Sequence, residues 1–113
     1  MGRVINISAF IGLSAEGSSI AHATAKAGLI HLNRFLASAL APDVTVNSIT
    51  PGSMEGTVMF GKISAEAVEA GRQRAKLNRH RSLEDVADQV LTFCRAESIT
   101  GQVLVIDGGI VFH

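Results

Sequence analysis

Three short β-branched runs, separated by segments of helical period, constrain this chain more than any other feature. "RVINIS" (3–8) has the pattern of a strand covered on both faces, "VTVNSIT" (44–50), ended by Pro51 and Gly52, reads as a second strand, and "GQVLVID" (101–107), turned off by Gly108-Gly109, as a third. Between the first two, Ala21, Ala25, Leu29, Leu32, Leu36 and Leu40 recur at spacings of three and four. That spacing predicts a helix from about Ser19 to Leu40 with one apolar stripe, stopped by Pro42. Between the second and third runs, "SAEAVEAGRQRAKLN" (64–78) predicts an exposed helix capped by Ser64. "SLED" (82–85) then has the spacing of a capping box, ahead of a helix whose buried side reads as Val86, Val90, Leu91 and Cys94.

Strand, helix, strand, helices, strand is the order of a parallel sheet with helical crossovers, so the expected class is an α/β layer of about three strands with flanking helices. Three strands are few for independent stability. The whole of 1–113 reads as a single domain, without repeats or a low-complexity linker, and a chain of this length buries only about two-thirds of its unfolded surface. A doubly wound dinucleotide-binding sheet carries a glycine-rich phosphate loop after its first strand. No GxGxxG run occurs here, and Gly12 and Gly17 stand too far apart to replace one.

Charge and composition narrow the partners. Ten basic and ten acidic side chains cancel, and "NRHRS" (78–82), the one basic run, reads as a solvated loop, so no nucleic-acid partner is expected. No apolar stretch reaches the roughly 18 residues of a membrane span, and no signal-peptide layout opens the chain; a cytoplasmic location is the default expectation. Cys94, within "VLTFC", reads as a buried reduced thiol rather than a nucleophile. His31, His80 and His113 have no metal-ligand spacing with one another or with acids, and no metal site is expected.

"GRVINIS", "AHATAKAGLIHLNRFLASALAPDVTVNSITPG", "SLEDVADQVLTFC" and "ITGQVLVIDGG", in this order and at these spacings, resemble the C-terminal half of a short-chain dehydrogenase/reductase. The resemblance covers nearly the whole chain and implies an incomplete Rossmann-type parallel sheet, a partial domain over 1–113. It implies descent from an NAD- or NADP-dependent oxidoreductase that acts on a carbonyl or an alcohol. The family's N-terminal half, with its glycine-rich cofactor loop, has no counterpart in these residues.

The family carries Tyr-x-x-x-Lys on the helix after this first strand, with a serine thirteen residues before the tyrosine. Four residues place both side chains on one helical face, where the ammonium lowers the phenol's pKa and holds the nicotinamide ribose. The phenol exchanges a proton with the substrate oxygen as hydride moves, and the serine steadies that oxygen. Carried onto this sequence, the lysine is Lys26, the tyrosine position holds His22 and the serine position holds Ala9. An imidazole is shorter than a phenol, and a displacement of about 1 Å in such a site can cost a hundredfold in rate. Ser8 neighbours Ala9 but is expected to face the other way on the strand.

In the family a Pro-Gly after the next strand lets backbone amides approach the nicotinamide, and a threonine five residues past the proline contacts the cofactor. Pro51 and Gly52 match; the threonine place is Gly56, with Thr57 one residue late. From the residues alone, Pro51-Gly52 is equally an ordinary turn, and His22 and Lys26 are polar residues on the less buried side of their helix. The expected chain is therefore inactive alone, or is a non-catalytic association module derived from this family. The open edge of "RVINIS", with Val4, Ile5 and Ile7, favours a homo-oligomer or pairing with another chain. The resemblance implies association through helix 19–40 and the last strand.

Overall fold

A computed structural model of the chain describes residues 1–8, 20–52, 65–79 and 82–112. Ala9, Gly12, Gly17, Gly56, Thr57, Ser64, His80 and His113, named above, lie outside the described residues.

The elements follow the expected order: β1 (Gly2–Ile7), α1 (Ile20–Leu40), β2 (Val44–Pro51), α2 (Ala65–Arg74), α3 (Leu83–Arg95) and β3 (Val103–Ile106). The strands form one sheet in the order β1-β2-β3, and both pairings are parallel. Gly2 pairs with Val44 and Ile7 with Ile49 across β1 and β2, and Ser48 pairs with Val103 across β2 and β3. As the central strand, β2 has Thr45 through Pro51 buried throughout, in keeping with its β-branched Thr45, Val46, Ile49 and Thr50. The outer strands β1 and β3 are mostly half-buried.

Pleating sorts the side chains onto two faces. Ile49, with Ile5 and the partly buried Leu104 and Ile106, packs against Val86 and Phe93 of α3 to form the apolar core. The opposite face meets α1 and is unusually polar. Asn33, fully buried, donates from Nδ2 to the Gln102 carbonyl at 3.3 Å and accepts from Asn6 Nδ2 at 3.5 Å. Ser8, 3% exposed, donates its hydroxyl to the Lys26 carbonyl at 3.0 Å. On the α3 face, in line with Ile49 and opposite Ile5, Asn47 staples the turn before β3, donating to the Ile99 carbonyl at 3.0 Å and accepting from the Gln102 amide at 3.1 Å.

Two faces differ from the sequence reading. On α1 the buried residues are Ile30, Asn33 and Ala37, one helical stripe to which half-buried Lys26 also belongs. Ala21, Ala25, Leu32 and Leu40 are exposed, and only Leu29 and Leu36 of the expected stripe are half-buried. An alanine-rich helix offers two stripes of equal period, and the sheet takes the narrower one, where Ala37 lies in van der Waals contact range of Gly101, at 3.5 Å from the Cβ position built there. On α3 the buried line is Val86, Val90 and Phe93, at i, i+4 and i+7. Leu91, 50% exposed, and Cys94, also exposed, therefore turn outward; the expected buried thiol is corrected on this ground.

The caps agree better. Ser82 is the N-cap of α3, its Oγ accepting from the Asp85 amide at 3.0 Å. Arg72 near the end of α2 pairs with Glu69 and donates to the Asn78 carbonyl; the hydrogen bond and then the charge of Glu69 hold its pKa above the ordinary value.

Candidate functional site at the carboxyl ends of the strands

In a parallel α/β sheet, ligands sit beyond the carboxyl ends of the strands, where helix amino-termini and loops converge. Here those ends bring together Ser8 after β1, Pro51-Gly52 at the end of β2, and Ile106-Asp107 at the end of β3. Register places them side by side: the Ser8 amide donates to the Ile49 carbonyl at 2.8 Å, and the Gly52 amide to the Ile106 carbonyl at 3.0 Å. Pro51 is buried and Gly52 half-buried, so the strand end is fixed before the chain leaves it.

Lys26 joins this edge through its backbone. The Ser8 hydroxyl bonds the Lys26 carbonyl, so the second turn of α1 is fastened to the end of β1. The expectation that Ser8 turns away is thus refined: it faces α1, and its hydroxyl is committed to the helix backbone rather than to a substrate. Sequence reasoning missed this clamp, whose only signal was a small polar residue ending an apolar strand. Lys26 is half-buried, and its ammonium has no hydrogen bond or ion pair among the described residues. His22, one turn earlier, is exposed. Lys26 therefore leaves the surface assigned to it from the sequence, while His22 stays there.

The chemistry of this donor set fits one end of a dinucleotide cofactor. A lysine ammonium without a partner among the described residues can donate to ribose hydroxyls, and a Pro-Gly strand end permits close approach of a flat amide-bearing ring. Among the described residues nothing resembles a phosphate cradle, and no three His, Cys, Asp or Glu side chains are grouped to hold a metal. No described helix is long and apolar enough to cross a membrane.

The wall of the site beyond β3 is a staple. Asp107, 4% exposed, accepts from the Gly109 amide at 2.9 Å and the Val111 amide at 2.8 Å. The Gly108 and Gly109 carbonyls in turn accept from the Leu77 and Lys76 amides at 2.9 and 3.1 Å. Gly109 has φ +85°, and a Cβ there would come within 3.2 Å of the Lys76 Cβ, so this turn needs glycine.

Comparison with known proteins now gives the class. Residues 1–111 match the family model described as enoyl-(acyl carrier protein) reductase. The 3-oxoacyl-[acyl-carrier-protein] reductase of Aquifex aeolicus is 39% identical over 111 residues, which are 96% of this chain and 44% of that protein. A Bacillus subtilis short-chain dehydrogenase/reductase homolog, YusR, is 30% identical over 108 residues, 96% of this chain and 82% of that protein. A Leptospira borgpetersenii short-chain dehydrogenase with bound NAD+ superposes with a TM-score of 0.87 at 28% identity, over 98% of this chain and 45% of the other. The chain belongs to the short-chain dehydrogenase/reductase family. Its sheet is part of a Rossmann fold, and it spans less than half the length of the Aquifex and Leptospira relatives.

Proposed function

We propose that this chain is the carboxyl-terminal half of an NAD(P)-dependent oxidoreductase acting on a carbonyl or an alcohol, and that it turns nothing over alone. The observation that carries this reading is Lys26: half-buried, it has an ammonium without a hydrogen bond or ion pair among the described residues, and its backbone carbonyl accepts from Ser8 at the carboxyl edge of the sheet. In this role Lys26 would hold the ribose hydroxyls next to the nicotinamide, and Pro51-Gly52 would let backbone amides approach it, with Thr57 one residue out of place for a further contact. When bound, the cofactor supplies or accepts the hydride. Proton handling is the deficient part, because His22 stands where the family has tyrosine and Ala9 where it has serine. The test restores both groups in a chain that carries an amino-terminal half. His22→Tyr with Ala9→Ser raises NAD(P)H-dependent carbonyl reduction by at least a hundredfold; no gain means the pocket serves another purpose.

A second reading, association without catalysis, is favoured by α1. Its outward face carries Leu32, 47% exposed, and Phe35, 64% exposed, and a Cβ added at Gly28 would meet nothing within 4 Å. Such a face suits a homo-oligomer built helix to helix, with small residues permitting close approach. Sedimentation of a stable monomer at high concentration excludes it. A cytoplasmic location accords with both readings.

A further inference from the structure

Ser48 lies in the middle of β2, and its hydroxyl is the one buried side-chain polar atom without a hydrogen-bond partner among the described residues. The register gives its face: Ser48 pairs with Asn6 of β1, whose amide reaches Asn33 of α1, so Ser48 looks towards α1 as well. The residue is 0% exposed, and bulk solvent does not supply the missing bond. A hydroxyl carries one donor and two acceptor sites, and leaving all of them unpaired inside a protein is rare. Other hydroxyls on the same face are paired, Ser8 with the Lys26 carbonyl at 3.0 Å and Thr50 with the Leu104 carbonyl at 3.3 Å.

Asn33 stands over this hydroxyl. The Gln102 carbonyl accepts from the Ser48 amide at 2.8 Å and from Asn33 Nδ2 at 3.3 Å, while Asn33 Oδ1 accepts from Asn6 Nδ2 at 3.5 Å. The Asn33 side chain therefore spans β2 at the level of Ser48. It is 0% exposed and has two N–H donors, of which one is used, on a carbonyl that already accepts twice. Both of its bonds are longer than the usual amide hydrogen bond. Ser48 is also the smallest side chain on this face of β2, flanked by Val46 and Thr50, so the layer is thinnest where the unpaired groups meet.

We propose that Ser48 and Asn33 bind one interior water molecule between β2 and α1, which accepts from the spare N–H of Asn33 and shares a hydrogen bond with Ser48 Oγ. Two polar partners are the least that hold an interior water, and the Asn6 side chain borders the same place. The water fastens the middle of α1 to the central strand, so it belongs with the contacts that set the height of the helix carrying Lys26. It is independent of whether a cofactor binds.

The experiment uses this chain and its Ser48→Ala variant. Oxygen-17 relaxation dispersion counts long-lived waters and does not respond to hydroxyl hydrogen exchange; the variant is expected to hold one fewer than the parent. In the parent, nuclear Overhauser spectra are expected to connect water to the Asn33 Nδ2 protons, a measurement that needs no variant. Thermal melts supply a sign: loss of a water's anchor lowers the melting temperature of Ser48→Ala by several degrees, whereas removal of an unpaired buried hydroxyl raises it. An unchanged water count, no cross-peak in the parent, or a Ser48→Ala variant that melts above the parent overturns the proposal.

Discussion

The Ser8 hydroxyl lies 3.0 Å from the Lys26 carbonyl, a side-chain bond that fixes the height of α1 against the end of β1. Asn33, seven residues further along the same helix face, makes the second anchor, through Gln102 and Asn6. Two polar anchors two turns apart hold in place a helix whose buried stripe, Ile30 and Ala37, is narrow. Replacing Ser8 by Ala removes the first anchor and costs about 1 kcal/mol, the usual net value of a buried hydrogen bond. Urea unfolding followed by circular dichroism measures it, and amide exchange should quicken in the first turns of α1 more than in its last.

Asn33→Ala is the more damaging change. It removes the partner of both the Gln102 carbonyl and the Asn6 amide, and the loss of two hydrogen bonds should cost about 1–3 kcal/mol. Asn33→Leu fares no better, since the added methyls meet the same polar partners. A Leu variant as stable as the parent in urea would contradict the anchor.

At the start of α3, Ser82→Ala should cost about 1 kcal/mol, and Ser82→Gly only a few tenths, because glycine tolerates the cap geometry. Thermal melts of the two variants, run side by side, check the order.

The staple beyond β3 makes a graded prediction. Asp107→Asn keeps one carbonyl oxygen for the Gly109 or Val111 amide, whereas Asp107→Ala leaves both amides without their acceptor. The alanine variant should lose about 1–3 kcal/mol and the asparagine variant less. Gly109→Ala should also destabilise, by about 1–2 kcal/mol, because its positive φ and the nearby Lys76 both oppose a Cβ. Equal stability of the two Asp107 variants would remove the carboxylate from this role.

Sequence pattern made the strands legible because β-branched runs bounded by glycine and proline have few other uses, and the intervening helices then compelled a parallel sheet. Ser82 was legible for a similar reason: a capping serine acts within four residues. Burial on α1 was not, because Ala21 to Leu40 and Lys26 to Ala37 are both stripes of helical period, and only the sheet decides between them. Asn33 and Asn47, on opposite faces of the sheet, were hidden by the habit of assigning asparagine to the surface, whereas here each satisfies backbone groups of the turn before β3. Leu91 and Cys94 misled for a geometric reason, each lying about 100° round the helix from the inward-facing residue before it, Val90 and Phe93. In the candidate site, Lys26, Pro51 and Gly52 were named through the family resemblance, but the Ser8 clamp needed coordinates, since the bond reaches backbone and leaves no pairing signal.

The most direct test of the account is a thermal melt of this chain alone with NADH and with NADPH at millimolar concentration. A group that binds the folded state raises the melting temperature in proportion to occupancy. With Lys26 proposed to hold one end of the cofactor and no phosphate cradle among the described residues, the account predicts no measurable shift for the lone chain. A rise of several degrees with either cofactor would contradict it, and would make this half a complete cofactor-binding unit.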